Sequence, residues 1–99
     1  MSRHVNARLS RHADFWLYMV ECADGTYYAG YTRDLTARVR LHNAGRGAKY
    51  LAGKRPVSLV YAKHYRYYLH AVRAERHLKQ QSRKFKEALV RRYAEARSG

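Results

Sequence analysis

The sequence predicts a small α+β domain, and three observations support this. The chain has 99 residues, the size of one domain with one core. Hydrophobic residues make up 46% of it, which is enough apolar surface for packing and argues against general disorder. Strand and helix patterns follow in the order strand, strand, helix, strand, helix, helix. We expect a domain over residues 15–96, preceded by a flexible basic arm over residues 1–14.

The first two strands are predicted to form a hairpin. Residues 16–22 and 26–31 are rich in strand formers, and Ala23-Asp24-Gly25 between them is a turn signal. A three-residue turn would place Tyr18 and Tyr28 on one face of the sheet, whereas a two-residue turn would place them on opposite faces. Both turns are compatible with the sequence.

The rest of the chain predicts three helices and one more strand. Thr32 is a candidate cap for the first helix, Asp34 suits its first turn, and Asn43-Ala44-Gly45 ends it. Residues 45–56 form a basic, flexible loop whose glycine spacing does not match a nucleoside-triphosphate-binding loop. The remaining strand and two helices are predicted over residues 57–65, 69–81 and 83–96.

The charge of the chain indicates a polyanionic partner. Lys and Arg number 21 against seven acidic residues, which gives a formal net charge of +14. So much like charge repels itself in a compact domain, and binding to phosphates relieves it with release of counterions. Nucleic acid is therefore the expected partner, with an acidic membrane surface or ribosomal RNA as the alternative.

Cysteine content and apolar runs bear on the compartment. Cys22 is the only cysteine, so an internal disulfide and a cysteine-rich zinc site are both excluded. Residues 1–14 contain no apolar run of signal-peptide length, and no segment approaches the roughly twenty apolar residues of a membrane span. We expect a cytoplasmic protein that is neither secreted nor inserted in a membrane.

Three polar residues lie on helix faces that should be apolar. Helical spacing puts Arg38 and His42 on the inward side of the first helix. The arginine either faces a solvent-filled cleft or extends past a core histidine to the surface. Glu75 falls within the apolar stripe of the second helix. It either pairs with a neighbouring base such as Lys79, or holds one Mg²⁺ with water and phosphate oxygens as the other ligands.

The order and spacing of these residues resemble the GIY-YIG nuclease superfamily, most closely its small single-domain members. The matching segments are Leu17-Tyr18-Met19, Tyr28-Ala29-Gly30, Asp34-Leu35, Arg38 with His42, and Glu75. The resemblance covers about residues 15–90. It implies a three-stranded, mainly antiparallel sheet flanked by about three helices, with a site on the sheet that hydrolyses phosphodiester bonds.

The resemblance also implies a role for each matching residue. One of Tyr18 and Tyr28 would activate water while the other orients water or phosphate, and the motif glycine would leave room for the scissile backbone. Arg38 would stabilise negative charge on the phosphoryl group and lower the pKa of a tyrosine. His42 would position or relay a proton, and Glu75 would hold one Mg²⁺ or Mn²⁺.

Nucleic-acid contacts are expected from basic loops and exposed aromatics, because the chain has no second recognition domain. Such contacts favour single-stranded or branched DNA over a long duplex sequence. The residues predicted to bind nucleic acid are Tyr31, Arg33, Arg46, Lys49, Lys54, Arg55 and Lys84. The tyrosines predicted to be exposed and to stack on unpaired bases are Tyr65, Tyr67 and Tyr68.

The first hypothesis is therefore a metal-dependent DNA endonuclease that leaves a 5′-phosphate and a 3′-hydroxyl. The alternative is a non-catalytic module that binds DNA or structured RNA, which predicts that Glu75→Ala changes no activity. A third hypothesis is a protein-interaction domain, which predicts no salt-sensitive binding to nucleic acid. A monomer is compatible with all three.

Overall fold

The computed structural model describes residues 14–98, which form one antiparallel sheet with helices on both faces. The strands, in the sheet order β2-β1-β3, are β1 (Phe15–Glu21), β2 (Tyr27–Thr32) and β3 (Ser58–Tyr65). The α-helices are α1 (Leu35–Asn43), α2 (Tyr68–Lys79) and α3 (Arg83–Ser98), and a 3-10 helix spans Lys49–Lys54. The predicted α+β fold is confirmed. The predicted arm, apart from Asp14, lies outside the described residues.

Asp34 caps the N-terminus of α1, so the prediction that Thr32 is the cap is wrong. The Asp34 carboxylate accepts a hydrogen bond from the Ala37 N–H at 3.0 Å. Thr32 is the last residue of β2, and its hydroxyl accepts a hydrogen bond from the Asp34 N–H at 3.2 Å. Thr32 is extended because the strand continues through it, so the first residue able to cap the helix comes two positions later.

The basic loop before β3 is more regular than predicted, because Lys49–Lys54 form a 3-10 helix. Leu51 is fully buried there, in the core cluster that contains Tyr18 and Val57. One buried leucine in a six-residue segment produces no detectable periodicity, which is why the sequence indicated only a loop.

The register of the β1–β2 hairpin decides the orientation of the two motif tyrosines. Val20 pairs with Tyr28, and the Cys22 N–H donates to the Thr26 carbonyl at 2.8 Å, which leaves three residues in the turn. Because alternate residues of a strand share a face, Tyr18 lies on the same face as Val20. Tyr18 and Tyr28 therefore project from the same face of the sheet.

The central strand β1 contributes side chains to the core on both faces of the sheet. Tyr18 and Val20 pack with residues of α1 and the 3-10 helix on one face. Leu17 and Met19 pack with Leu78 of α2, and with α3, on the other face. Burial on both faces explains the nearly continuous apolar run of β1. The sheet order β2-β1-β3 makes β2 an edge strand, so residues from both faces can meet around it.

The structure bears on two observations used to predict the compartment, the single cysteine and the lack of a membrane span. Cys22 is a free, buried thiol. Within residues 14–98, every helix is too short or too polar to cross a lipid bilayer. The cytoplasmic location itself stays a prediction.

Candidate active site

A polar cleft of about 260 Å³ lies at the edge strand β2 and collects residues from both faces of the sheet. We call it the β2 cleft, and its lining residues are Tyr18, Tyr28, Gly30, Tyr31, Arg38 and Glu75. Tyr18 and Tyr28 project from the face that packs on α1. Tyr31 and Glu75 reach the cleft from the α2 side, because alternate residues of a strand point in opposite directions. Four of the five predicted catalytic residues thus meet in one cleft.

His42, the fifth predicted catalytic residue, lies behind the β2 cleft and does not line it. Its side chain is 1% exposed, and its Nε2 is 2.8 Å from the Tyr18 Oη. Its Nδ1 accepts a hydrogen bond from the Ala48 N–H at 3.2 Å. A neutral imidazole whose Nδ1 is an acceptor carries its proton on Nε2, so His42 donates to the Tyr18 oxygen. The phenol proton of Tyr18 is then available to a group in the cleft.

Two glycines make room for this pair of rings. A Cβ at Gly30 would lie 2.7 Å from the Tyr18 Oη, and a Cβ at Gly47 would overlap the His42 Nδ1. The resemblance implied that the motif glycine leaves room for the scissile backbone. In the structure, the missing side chain of Gly30 makes room for the Tyr18 phenol. The sequence analysis did not single out Gly47, because its partner is brought to it only by the fold.

Burial and the neighbouring charges of the β2 cleft together set the protonation of Tyr18. Burial, the largest cause, acts with Tyr28 and Glu75 to raise the pKa of Tyr18 to about 12, although the Arg38 guanidinium acts in the opposite direction. Tyr18 is therefore a protonated phenol at neutral pH. A positive charge beside Glu75 would offset the negative charge of that carboxylate, and the Tyr18 proton would become easier to remove.

Glu75 forms the ion pair with Lys79, the first of the two alternatives considered for it, and its side chain also lines the β2 cleft. Its Oε2 lies 3.4 Å from the Lys79 Nζ one helical turn later. The Glu75 side chain is 20% exposed, which keeps the carboxylate within reach of solvent. The Lys79 Nζ also lies 5.6 Å from the centre of the Tyr28 ring. Lys79 therefore contacts both the Glu75 carboxylate and the Tyr28 ring. The sequence analysis did not predict the contact with Tyr28.

The β2 cleft suits a divalent cation held by one carboxylate better than a cation surrounded by several protein ligands. Within residues 14–98, no group of three or more His, Cys, Asp or Glu side chains could surround a metal ion. Mg²⁺ and related ions are often held by one or two carboxylates, with water and substrate phosphates as the other ligands. Glu75, the one carboxylate that lines the cleft, is the residue that would hold such an ion. Its ion pair with Lys79 would then be exchanged for the metal.

Two residues predicted to bind nucleic acid flank the β2 cleft. Tyr31 lines it, with its hydroxyl 3.2 Å from the Tyr68 hydroxyl. Arg33 is exposed just after β2, and its guanidinium carbon lies 5.8 Å from the centre of the Phe15 ring. Both residues lie where they could contact a nucleic-acid strand bound in the β2 cleft.

The other predicted contact residues lie outside the β2 cleft. Lys54 forms an ion pair with Asp24 of the hairpin turn at 2.8 Å. Arg55 is held within its own loop, because its Nε donates to the Ala52 carbonyl at 2.7 Å. The remaining exposed basic residues of this set are Arg46, Lys49 and Lys84.

The prediction that Tyr65, Tyr67 and Tyr68 are exposed is wrong, because all three are half-buried. Strand and helix ends at this corner of the sheet cover one another's rings, and Tyr65 packs against the core on the α2 side. The exposed ring near the cleft belongs to Tyr50, which is 55% exposed and stacks on Tyr28 with ring centres 6.0 Å apart. The sequence analysis missed Tyr50 because it lies in the basic loop, outside any strand or helix pattern.

Burial of His42 makes the stability of the fold depend on pH. Burial lowers the pKa of His42 below its ordinary value, and the charge of Arg38 lowers it further. The unfolded chain therefore binds the proton more readily than the folded chain does. The contribution of His42 is complete above the unfolded pKa of about 6.5 and is lost as the pH falls towards the folded pKa.

We expect a smaller free energy of unfolding at pH 5.5 than at pH 7.5, measured by urea denaturation. His42→Gln should flatten this dependence, whatever it does to stability at a single pH. The matched control is His70→Gln, because His70 is exposed at the surface. A pH dependence that survives in His42→Gln but disappears in His70→Gln would contradict the assignment.

The chain is similar to known proteins in sequence. Residues 14–88 match a family model described as the GIY-YIG catalytic domain. A UPF0213 protein of Halobacterium salinarum is 51% identical over 73 residues, which cover 74% of this chain and 95% of that protein. The UPF0213 protein YazA of Bacillus subtilis is 44% identical over 75 residues, 76% of each chain.

Two solved structures are similar in both sequence and fold. The solution NMR structure of the UPF0213 protein BH0048 from Bacillus halodurans is 40% identical with a TM-score of 0.51, covering 78% of this chain and 82% of that one. The solution NMR structure of the protein EF2693 from E. faecalis is 33% identical with a TM-score of 0.56, covering 84% and 91%. The antiparallel three-stranded sheet with its helices is thus common to these proteins.

Proposed function

The chain belongs to the GIY-YIG catalytic domain family, and from this premise we propose that it is a metal-dependent endonuclease that hydrolyses phosphodiester bonds in DNA. The observation that carries the proposal is the meeting of two phenols, a guanidinium and a carboxylate in the β2 cleft. Phosphodiester hydrolysis needs proton transfer, stabilisation of phosphoryl charge and help for the leaving oxygen. These side chains are of the types that supply such functions.

Tyr18 is the phenol that exchanges a proton with a reacting oxygen. Its oxygen is held by the His42 Nε2–H at 2.8 Å, which fixes the direction of the phenol. Arg38 lies close enough to lower the pKa of Tyr18, so it also stabilises the phenolate that forms when the proton leaves. His42 is therefore a positioning residue that acts through Tyr18.

Tyr28 and Arg38 orient and stabilise the phosphoryl group. The Tyr28 ring is held edge-on by His42, with centres 5.7 Å apart, and is stacked by Tyr50. A ring fixed on two sides presents its hydroxyl in one direction. Arg38, lining the same cleft, offers a planar set of N–H donors that suits phosphoryl oxygens.

Glu75 is the residue that would hold Mg²⁺ or Mn²⁺. When bound, such an ion neutralises charge on the phosphoryl group and on the leaving oxygen. Lys79 lies beside Glu75, with its Nζ 3.4 Å from the Glu75 Oε2, and would contact the phosphate backbone of a bound DNA strand. With a formal charge of +14, the chain attracts DNA, and single-stranded or branched DNA is the proposed substrate. Cleavage leaves a 5′-phosphate and a 3′-hydroxyl.

Two observations favour a second candidate function, a non-catalytic module that binds nucleic acid. Glu75 is paired with Lys79, and the Tyr18 phenol, with a pKa of about 12, is protonated at neutral pH. In this state the Glu75 carboxylate is paired and Tyr18 is not a phenolate. A protein that kept this state in the presence of metal and DNA would bind without cutting.

Cleavage assays with matched substrates separate the two candidates. Wild-type protein is incubated with single-stranded, duplex and flap DNA of one sequence, in Mg²⁺, Mn²⁺ or EDTA, and the products are resolved on denaturing gels. We expect cleavage that requires the metal and that is fastest on single-stranded or flap DNA. A mock preparation from cells that lack the protein, purified in parallel, controls for contaminating nucleases. Salt-sensitive binding with no cleavage under any condition would refute the nuclease and support the binding module.

A further inference from the structure

A second depression adjoins the β2 cleft and shares Tyr28 with it. We call it the tyrosine groove; it measures about 280 Å³ and is lined by Tyr27, Tyr28, Ala29, Tyr50, Lys79 and Lys86. No carboxylate lines it. Lys79 stands at the junction, with its Nζ 3.4 Å from Glu75 and 5.6 Å from the Tyr28 ring centre. A molecule in the groove would therefore lie directly beside the carboxylate of the β2 cleft.

The groove offers an aromatic surface that is both exposed and held in place. Tyr50 is 55% exposed and lies at 24° to the plane of the Tyr28 ring. The Lys54 Nζ lies 4.6 Å from the centre of the Tyr50 ring and 2.8 Å from the Asp24 carboxylate. The hairpin turn thus anchors the 3-10 helix that carries Tyr50. A ring that is already fixed loses little conformational entropy when a ligand stacks on it.

The cationic side of the groove is formed by Lys79 of α2 and Lys86 of α3. Two ammonium groups beside exposed rings match a polyanion that also carries aromatic planes. A DNA strand has both features, but in a duplex the faces of the bases are covered by their neighbours. Rings can stack only on a base that is unpaired or at a strand end.

We propose that the tyrosine groove binds one unpaired DNA nucleotide next to the scissile phosphate, with its base on Tyr50 and its phosphate between Lys79 and Lys86. The assignment rests on the proposed function, because the β2 cleft is taken as the place of the scissile phosphate. It makes the groove the feature that selects single-stranded or branched DNA. Selection does not depend on base identity, because every base has an aromatic face.

Binding measured in EDTA tests the groove separately from catalysis. Fluorescence anisotropy compares a labelled single strand with a duplex that contains the same sequence and is long enough for its two ends to be a small fraction of its binding sites. Tyr50→Ala should weaken binding to the single strand by about 5- to 150-fold, the loss expected for one stacked base, and should change duplex binding much less. The control Tyr50→Phe keeps the ring and should bind as wild type does.

Two lysines at opposite edges of the sheet provide a matched pair for the phosphate contact. Lys86 lines the groove beside β2, whereas Lys63 is exposed on β3, at the other edge, and does not line it. Lys86→Gln should reduce the salt dependence of single-strand binding by about 0.7 in the slope of log K against log salt concentration. Lys63→Gln should leave that slope closer to the wild-type value. Equal losses from both variants would overturn the groove and indicate general attraction by surface charge.

An abasic nucleotide locates the bound base. It is moved stepwise through the single strand of a flap, beside the junction. We expect one position at which the missing base weakens binding by the wild type but not by Tyr50→Ala, because the two changes remove the same contact. Additive losses at every position would overturn the proposal. If the protein cleaves DNA but Tyr50→Ala does not change binding, the groove proposal is overturned and the nuclease proposal stands. If the protein does not cleave DNA but shows one abasic position that weakens binding by the wild type and not by Tyr50→Ala, only the groove proposal is supported.

Discussion

Glu75→Gln is expected to cleave DNA on the order of 10²- to 10⁴-fold more slowly than wild type, which corresponds to several kcal/mol of transition-state stabilisation by a metal. Glutamine keeps the size of the side chain but removes the charge that would hold Mg²⁺ or Mn²⁺. Binding to DNA should be retained, because the change removes a negative charge from a basic surface. Cleavage rates under single-turnover conditions, with anisotropy for binding, measure both effects.

Glu87→Gln is the matched control for this substitution. Glu87 also forms an ion pair over one helical turn, with the Arg83 Nε at 3.0 Å, but it lies on α3 and does not line the β2 cleft. Loss of an exposed pair of this kind changes stability by about 1 kcal/mol or less, so both variants should stay folded. Equal cleavage by Glu75→Gln and wild type would remove Glu75 from the mechanism, and with it the proposed metal site.

Tyr18→Phe is expected to slow cleavage by about 10²- to 10⁴-fold, the usual contribution of one proton-transfer group. The variant keeps the ring that fills the space beside Gly30 and loses only the hydroxyl. It also leaves the Nε2–H of buried His42 without its acceptor, at a cost of about 1–3 kcal/mol in stability. Rates should therefore be measured well below the melting temperature, with circular dichroism to verify folding.

Tyr28→Phe is the comparison that distinguishes the two motif tyrosines. Its ring contacts with Tyr50, His42 and Lys79 do not need the hydroxyl, so DNA binding and stability should be close to wild type. We expect a smaller loss of rate than for Tyr18→Phe. A larger loss in Tyr28→Phe would transfer the proton-exchange role to Tyr28.

Local patterns were sufficient to predict the elements and their order. A short run of strand-forming residues bounded by a turn signal predicts a strand, and apolar residues three or four positions apart predict a helix, so both are encoded in neighbouring positions. The predicted boundaries of the hairpin, β3 and the last two helices lie within about two residues of those in the structure. Capping was less predictable, because Thr32 and Asp34 are both good caps and only the length of β2 decides between them.

The sequence by itself determined the α+β fold, the basic character of the surface and the set of Tyr18, Tyr28, Arg38 and Glu75 as candidates for one site. Helical spacing placed Arg38 and Glu75 on inward faces, whereas the resemblance to the GIY-YIG superfamily implied that Tyr18 and Tyr28 join them in one site.

Only the tertiary structure decided how those faces meet. The three-residue turn put Tyr18 and Tyr28 on the same side, and the edge position of β2 let Glu75 reach their cleft from the other face. The fold also buried His42 behind Tyr18 and brought Tyr50 and Lys86, 36 positions apart in the chain, into one groove. Contacts over such separations depend on strand order, register and packing, which no short stretch of sequence encodes.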